Sequence, residues 1–190
     1  MKATWKDEHF PHVLLEDFFT KEELKYALHE ANRIRPTLLP PHKTGTATRG
    51  AEQRPTKQNS GMFLPYDSPI PELASRHLSE ELVGPFDNWF STVWRRNNFR
   101  CWLLSRYSNG EYYNAHTDAA QWTVLLWIFK EPKPFKGGDL IFTDYDYTIE
   151  CKNNSGIIFP GPIKHEVPPI EGDGRYTITL FTGLEQPKQQ

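Results

Sequence analysis

Residues 107–118 read Tyr107-Ser108-Asn109-Gly110-Glu111-Tyr112-Tyr113-Asn114-Ala115-His116-Thr117-Asp118, and the last three decide how the rest of the chain is read. In an extended strand, residues i and i+2 point to the same face. His116 and Asp118 therefore aim at one point while Thr117 faces away. A second imidazole from a distant strand would complete a set of two histidines and one carboxylate. Such a set holds one face of an octahedral Fe(II) and leaves the opposite positions open. His165 is the candidate, because it follows Pro160-Gly161-Pro162 at the exit of an apolar strand. Ten residues on, Arg175 opens Arg175-Tyr176-Thr177-Ile178-Thr179-Leu180-Phe181, an alternating strand with a fixed positive charge at its start. A closed structural zinc site normally uses four Cys or His ligands. Here no cysteine lies near the three.

The twelve-residue stretch has the form Y-x-x-G-x-x-Y-x-x-H-x-D. It resembles the prolyl 4-hydroxylase-like branch of the Fe(II)/2-oxoglutarate-dependent oxygenases. Gly137-Gly138-Asp139-Leu140-Ile141-Phe142 resembles that branch's G-G-x-L-x-F strand. Gly156-Ile157-Ile158-Phe159-Pro160 ahead of His165, and the Arg175 strand behind it, match in order and spacing. The resemblance spans about residues 99–183. It implies His116, Asp118 and His165 as ligands of Fe(II), with 2-oxoglutarate and O₂ as cosubstrates, succinate and CO₂ as coproducts, and ascorbate as a reductant. It also implies that the far carboxylate of 2-oxoglutarate pairs with Arg175. A guanidinium matches a carboxylate with two parallel hydrogen bonds and stays charged at any relevant pH. Relatives that halogenate have a small residue where Asp118 stands, so hydroxylation is expected here. Thr177, i+2 from Arg175, and Tyr107 are expected in the 2-oxoglutarate pocket, with Trp127 as its floor. Tyr113 and Arg106 are expected to face the substrate.

Around this core the pattern is mainly β. Strands are predicted near 99–106, 112–117, 122–129, 138–142, 147–151, 155–159, 164–168 and 175–182, with short Gly and Pro turns between them. Short, regularly spaced strands favour a barrel or sandwich. Helices that come first and strands that follow suit a double-stranded β-helix, a jelly roll or cupin-like barrel with helices packed outside. Residues 1–190 are expected to form one oxygenase domain, with helical support over 1–98 and the jelly-roll core over 99–183. Trp122–Phe129 reads as a strand buried on both faces.

Upstream, His9–Leu15 is expected as a first strand, with His9 and His12 at an edge or on the surface. Thr20-Lys21-Glu22-Glu23 has a capping-box pattern, and Leu24, Ala27, Leu28 and Ala31 follow at helical spacing up to Pro36. Residues 36–71 lack periodicity apart from a short strand near Gly61–Leu64. They carry His42, Lys43, Arg49, Arg54 and Lys57, and are read as a lid over the open side of the metal site. Pro71–Arg96 reads as two helical pieces broken near Gly84-Pro85.

Composition bounds the rest. The 190 residues are 37% hydrophobic and 14% aromatic, enough for a packed core, and the net charge of −2 offers no broad attraction to nucleic acid. The chain has no long apolar run, its start lacks a secretory pattern, and Cys101 and Cys151 read as buried free thiols. A cytoplasmic enzyme is expected, without membrane or nucleic-acid partners. Its substrate is expected to be a peptidyl residue, proline first. The alternatives are a free amino acid or small metabolite, or a non-catalytic metal-binding sensor domain. Nothing in the sequence speaks to the oligomeric state.

Overall fold

The computed structural model describes residues 1–44, 48–49, 54–83 and 89–184. In chain order the elements are β1 Lys2–Lys6, β2 His12–Glu16, α1 Lys21–Ile34, β3 Thr48–Arg49, β4 Arg54–Pro55, β5 Ser60–Leu64, α2 Pro69–Ser75, α3 Trp89–Arg95, β6 Phe99–Tyr107, β7 Tyr113–His116, β8 Trp122–Ile128, β9 Phe135–Lys136, β10 Leu140–Phe142, β11 Tyr147–Ile149, β12 Ser155–Pro160, β13 His165–Val167, β14 Glu171–Gly172 and β15 Arg175–Gly183. Seven strands form a major sheet in the order β1-β2-β12-β8-β15-β6-β5, and four form a minor sheet in the order β11-β10-β13-β7. This is the jelly roll expected from the strand spacing. It is built from two facing sheets, and the described residues do not close into a barrel.

Strand alternation divides the interior in two. On β8, every residue is buried. Trp122, Val124, Leu126 and Ile128 join one apolar cluster with Ala27, Ala31 and Ile34 of α1, Ile70 and Leu73 of α2, and Phe90 and Trp94 of α3. Leu125 and Trp127 point the other way. They join a second cluster with Leu140 and Phe142 of β10 and Val167 of β13, between the sheets. The helices thus cover the outer face of the major sheet, and the inter-sheet space is left for the polar site. The Tyr176 hydroxyl donates to Asn32 Oδ1 at 3.0 Å, tying β15 to α1.

Helix α1 starts where the capping box predicts. Glu23 N–H donates to Thr20 Oγ1, and Thr20 N–H donates to Glu23 Oε2. The helix runs to Ile34, and Arg35–Thr37 turns as a short 3-10 segment containing Pro36. Its last buried residue, Ile34, comes just before the ring that removes a backbone donor.

Several expectations need correction. The N-terminal half, read as helical support with strands at His9–Leu15 and near Gly61–Leu64, supplies those two as β2 and β5 of the major sheet and adds an unexpected β1. β1 is absent from the sequence reading because Lys2-Ala3-Thr4-Trp5-Lys6 carries few apolar side chains. It is an edge strand held by pairing with β2. His12 is fully buried rather than at the surface. Its Nδ1 bonds Phe10 O and its Nε2 bonds the Tyr147 hydroxyl, and burial lowers its pKa. His9 is exposed. Of the two free thiols, Cys151 is buried but Cys101 is half-buried. Within 36–71, Ser60–Leu64 pairs along β6 as a full edge strand, and Leu39 bridges to Gly61. The lid reading of 45–47 and 50–53, and the helix break near Gly84-Pro85, fall outside the described residues. No helix among the described residues is long and apolar enough to cross a membrane.

Candidate active site

β7 and β13 lie side by side, with His116 directly opposite His165. Two residues past the end of β7, Asp118 N–H donates to Gly161 O at 2.9 Å, which turns its carboxylate back toward both rings. Gly161 permits this because a Cβ there would sit 2.1 Å from Ala120 O. Ligand atoms of His116, Asp118 and His165 all lie within 4.8 Å of one another. His116 Nε2 is 3.8 Å from Asp118 Oδ1, and His165 Nε2 is 3.7 Å from Asp118 Oδ2.

The surroundings of these three side chains turn the three ligand atoms toward one another. Nδ1 of His116 bonds Asn114 O, and Nδ1 of His165 bonds Ile163 O, both at 2.8 Å. A carbonyl can only accept, so each Nδ1 carries the proton and each Nε2 presents a lone pair. Thr123 donates its hydroxyl to Asp118 Oδ2 at 2.5 Å. Tyr113 stacks on the His116 ring, with centroids 3.5 Å apart and planes 9° from parallel. Burial pushes the Asp118 carboxyl up, against the opposing pull of His165, the Thr123 hydroxyl and Lys57. Two imidazole nitrogens beside a desolvated carboxylate suit a divalent ion, and the mixed N/O donor set without sulfur suits Fe(II).

Behind the cluster lies Arg175, 1% exposed. Its Nε donates to Gly138 O at 3.0 Å, one terminal nitrogen donates to Thr177 Oγ1 at 2.8 Å, and its guanidinium lies 4.5 Å over the Tyr107 ring. Gly138 has φ +79°, and a Cβ there would come within 2.9 Å of Arg175 Cδ and Nε. The second glycine of the Gly137-Gly138 motif is therefore the space that Arg175 occupies. Burial pushes the Tyr107 phenol up to about 12, so it remains a donor. One cavity is lined by His116, Asp118, His165, Arg175, Thr177, Tyr107 and Tyr113 together.

Two expected residues lie elsewhere. Arg106 falls between Ser105 and Tyr107, which line the cavity, so alternation turns it to the opposite face. There it pairs with Asp173 at 2.5 Å and donates to Ser108 at 2.6 Å. Trp127 has the expected face but sits too far along β8. Leu125 lines the cavity in its place, while Trp127 borders a separate groove with Leu14 and Tyr147. Asp139 accepts from Cys151 N–H at 2.9 Å, which makes it a turn anchor.

The sequence reading missed Lys57 and Asn59 as site residues. Both are 3% exposed and line the cavity. Lys57 Nζ donates to Thr44 O and Thr44 Oγ1 and lies 5.3 Å from the Tyr113 ring centroid. Burial pushes its ammonium down to about 8, partly opposed by Asp118. Asn59 Oδ1 is buried without a hydrogen-bond partner among the described residues. The available signal was their i, i+2 spacing just ahead of β5, which puts both on one face.

Residues 102–183 match the 2OG-Fe(II) oxygenase superfamily. That match supports a 2OG-Fe(II) oxygenase of the prolyl-4-hydroxylase-like kind. The chain is similar in fold to a Pseudomonas putida prolyl-4-hydroxylase, with TM-score 0.66 and 15% identity over 92% of this chain and 93% of that one. It is also similar to a viral collagen prolyl hydroxylase from Paramecium bursaria Chlorella virus-1, solved as a 2OG complex. There the TM-score is 0.62, with 14% identity over 92% of this chain and 96% of that one. Among curated proteins none matches this chain in sequence. The superfamily that residues 102–183 match is one that implies Fe(II), 2-oxoglutarate and O₂ as the reacting partners.

Proposed function

We propose that this chain is a single-domain oxygenase that hydroxylates a residue within a peptide, with proline as the first choice. One 2-oxoglutarate would be converted to succinate and CO₂ in each turnover. The observation that carries the reading is the shape of the site. The cavity holding the His116, Asp118 and His165 side chains is closed by Arg175 at one end and opens at the other into a groove of ≈ 630 Å³. A free amino acid would call for a sealed pocket. An open groove bordered by Thr44, Lys57 and Phe63 suits a chain that passes through. A sensor domain that uses the metal only structurally would have no need of a buried, fully oriented Arg175.

In this reading His116 Nε2, His165 Nε2 and Asp118 hold Fe(II), which when bound supplies O₂-dependent oxidation coupled to decarboxylation of 2-oxoglutarate. The protein does the rest by holding atoms in place. The Asn114 and Ile163 carbonyls keep both imidazoles in the tautomer that presents Nε2. Thr123 fixes one Asp118 oxygen. Arg175 takes the far carboxylate of 2-oxoglutarate. Thr177 accepts from Arg175, which leaves its own proton for the same carboxylate, and the Tyr107 hydroxyl adds a further donor. At the groove side, Lys57 and Asn59 offer one cationic donor and one vacant acceptor. A backbone amide presents the matching acceptor and donor.

The test is incubation of purified protein with Fe(II), ascorbate, 2-oxoglutarate and a panel of proline-containing peptides. The expected result is succinate formation with a matching gain of one oxygen atom in a peptide. Succinate coupled only to free amino acids would replace the peptide reading with the small-molecule one. No succinate with any substrate would remove both.

A further inference from the structure

The groove carries three large apolar side chains that the interior does not cover. Phe63 is 46% exposed, Phe99 40% and Leu184 43%, and all three line the groove. They come from neighbouring strands, since β5, β6 and β15 are adjacent in the major sheet. Phe99 pairs with Gly183, the residue before Leu184, which puts these two at the outer end. Phe63 pairs with Leu103, the partner of Thr179, and so lies on a row nearer the inner cavity. Exposed apolar residues scattered singly need no explanation, but three gathered at one groove mark a binding surface. Among the described residues lining the groove, only Lys57 and Asp118 carry charge, and both also line the inner cavity. The lip is uncharged.

Position along β15 relates this lip to the chemistry. Phe181 pairs with Thr123, whose hydroxyl holds Asp118, so the metal-ligand cluster lies at the level of Phe181. Gly183 and its partner Phe99 are two residues further out, ~6.7 Å at the rise of a strand. A substrate extended along β15 has the same two-residue period. Its side chain two positions from the reacting residue faces the same way and reaches the lip.

We infer that Phe99 and Leu184 select peptides with a large aliphatic or aromatic side chain two residues from the hydroxylated position. This rests on the peptide reading above. The test compares peptides with a central proline and Leu, Ser or Asp placed two residues before or two residues after it. Affinity is read by fluorescence polarisation, which needs no turnover, and kcat/KM by succinate release. The expected result is that Leu on one side binds about fivefold or more tighter than Ser, the gain from partly burying one leucine side chain. Asp is expected to bind more weakly than Ser. Phe99→Thr, at an exposed strand position, should reduce the Leu preference, and Phe63→Thr, on the row of Thr179, should leave it in place, with unchanged thermal unfolding showing that the fold is retained in both. Equal affinity for Leu and Ser peptides on both sides would overturn the inference. So would a preference that survives in Phe99→Thr or disappears in Phe63→Thr. Leu-selective binding without succinate would leave the lip standing and sink the hydroxylase reading. Succinate without selectivity would do the reverse.

Discussion

The two ends of β15 present opposite solutions to the same problem of meeting a ligand. At the inner end Arg175 is buried, braced by Gly138 O and Thr177 Oγ1 and stacked over Tyr107. At the outer end Phe181 is half-buried and Leu184 is exposed beside Phe99. A desolvated cation is costly unless it is paired and hydrogen-bonded. The inner end can carry that cost because its proposed ligand has one fixed chemistry, a carboxylate. On the proposed reading the outer end admits and releases a peptide, and it offers apolar surface that is left open. That difference would separate cosubstrate affinity from substrate affinity along one strand.

The largest effect is expected at the junction of the two ends. His116→Ala should abolish turnover and weaken Fe(II) affinity by more than about 100-fold, because even a partner of a ligand is worth about 10–100-fold. Both ends should then lose function together, read as succinate release with any peptide. A smaller, one-sided effect should follow from Gly138→Ala. The new Cβ meets Arg175 and the backbone is held at positive φ, a strain of about 1–3 kcal/mol. The 2-oxoglutarate Kd should rise about tenfold or more while peptide Kd stays unchanged. If both constants move equally, the two ends are not independent.

Two substitutions lie outside the comparison and show what the site does not depend on. Arg106→Met removes an ion pair whose partner, Asp173, is half exposed. It should lower stability by about 1 kcal/mol, seen in urea unfolding, with 2-oxoglutarate affinity unchanged. A large loss of cosubstrate binding would return Arg106 to the pocket. Thr20→Ala removes the α1 cap and should cost about 0.5–1 kcal/mol, again with both ligand affinities intact.

How much of this was legible in sequence follows from the range of each interaction. The capping box at Thr20 and Glu23 and the strand spacing from Phe99 onward are local, and they appear where predicted. The residues His116, Asp118, His165 and Arg175 could be named because motif order marks them, and the structure brings their side chains to one cavity. Periodicity also put Trp127 on the correct face. It could not say how far along β8 the cavity extends, because depth depends on how β8 registers with β12 and β15. Lys57 and Asn59 were hidden for the same reason. Their burial comes from β5 pairing with β6 and from the Lys57–Tyr113 bridge, contacts between distant segments. Lys57 looked like one more surface cation in an irregular stretch, as His12 looked like an edge residue.

The most direct test of the central claim is a calorimetric titration of the purified chain with Fe(II) under anaerobic conditions, followed by 2-oxoglutarate. The account predicts one Fe(II) per chain, lost in His116→Ala. It also predicts 2-oxoglutarate binding that is strengthened by the metal and weakened by Arg175→Lys. Binding of 2-oxoglutarate that is indifferent to both the metal and Arg175 would contradict it.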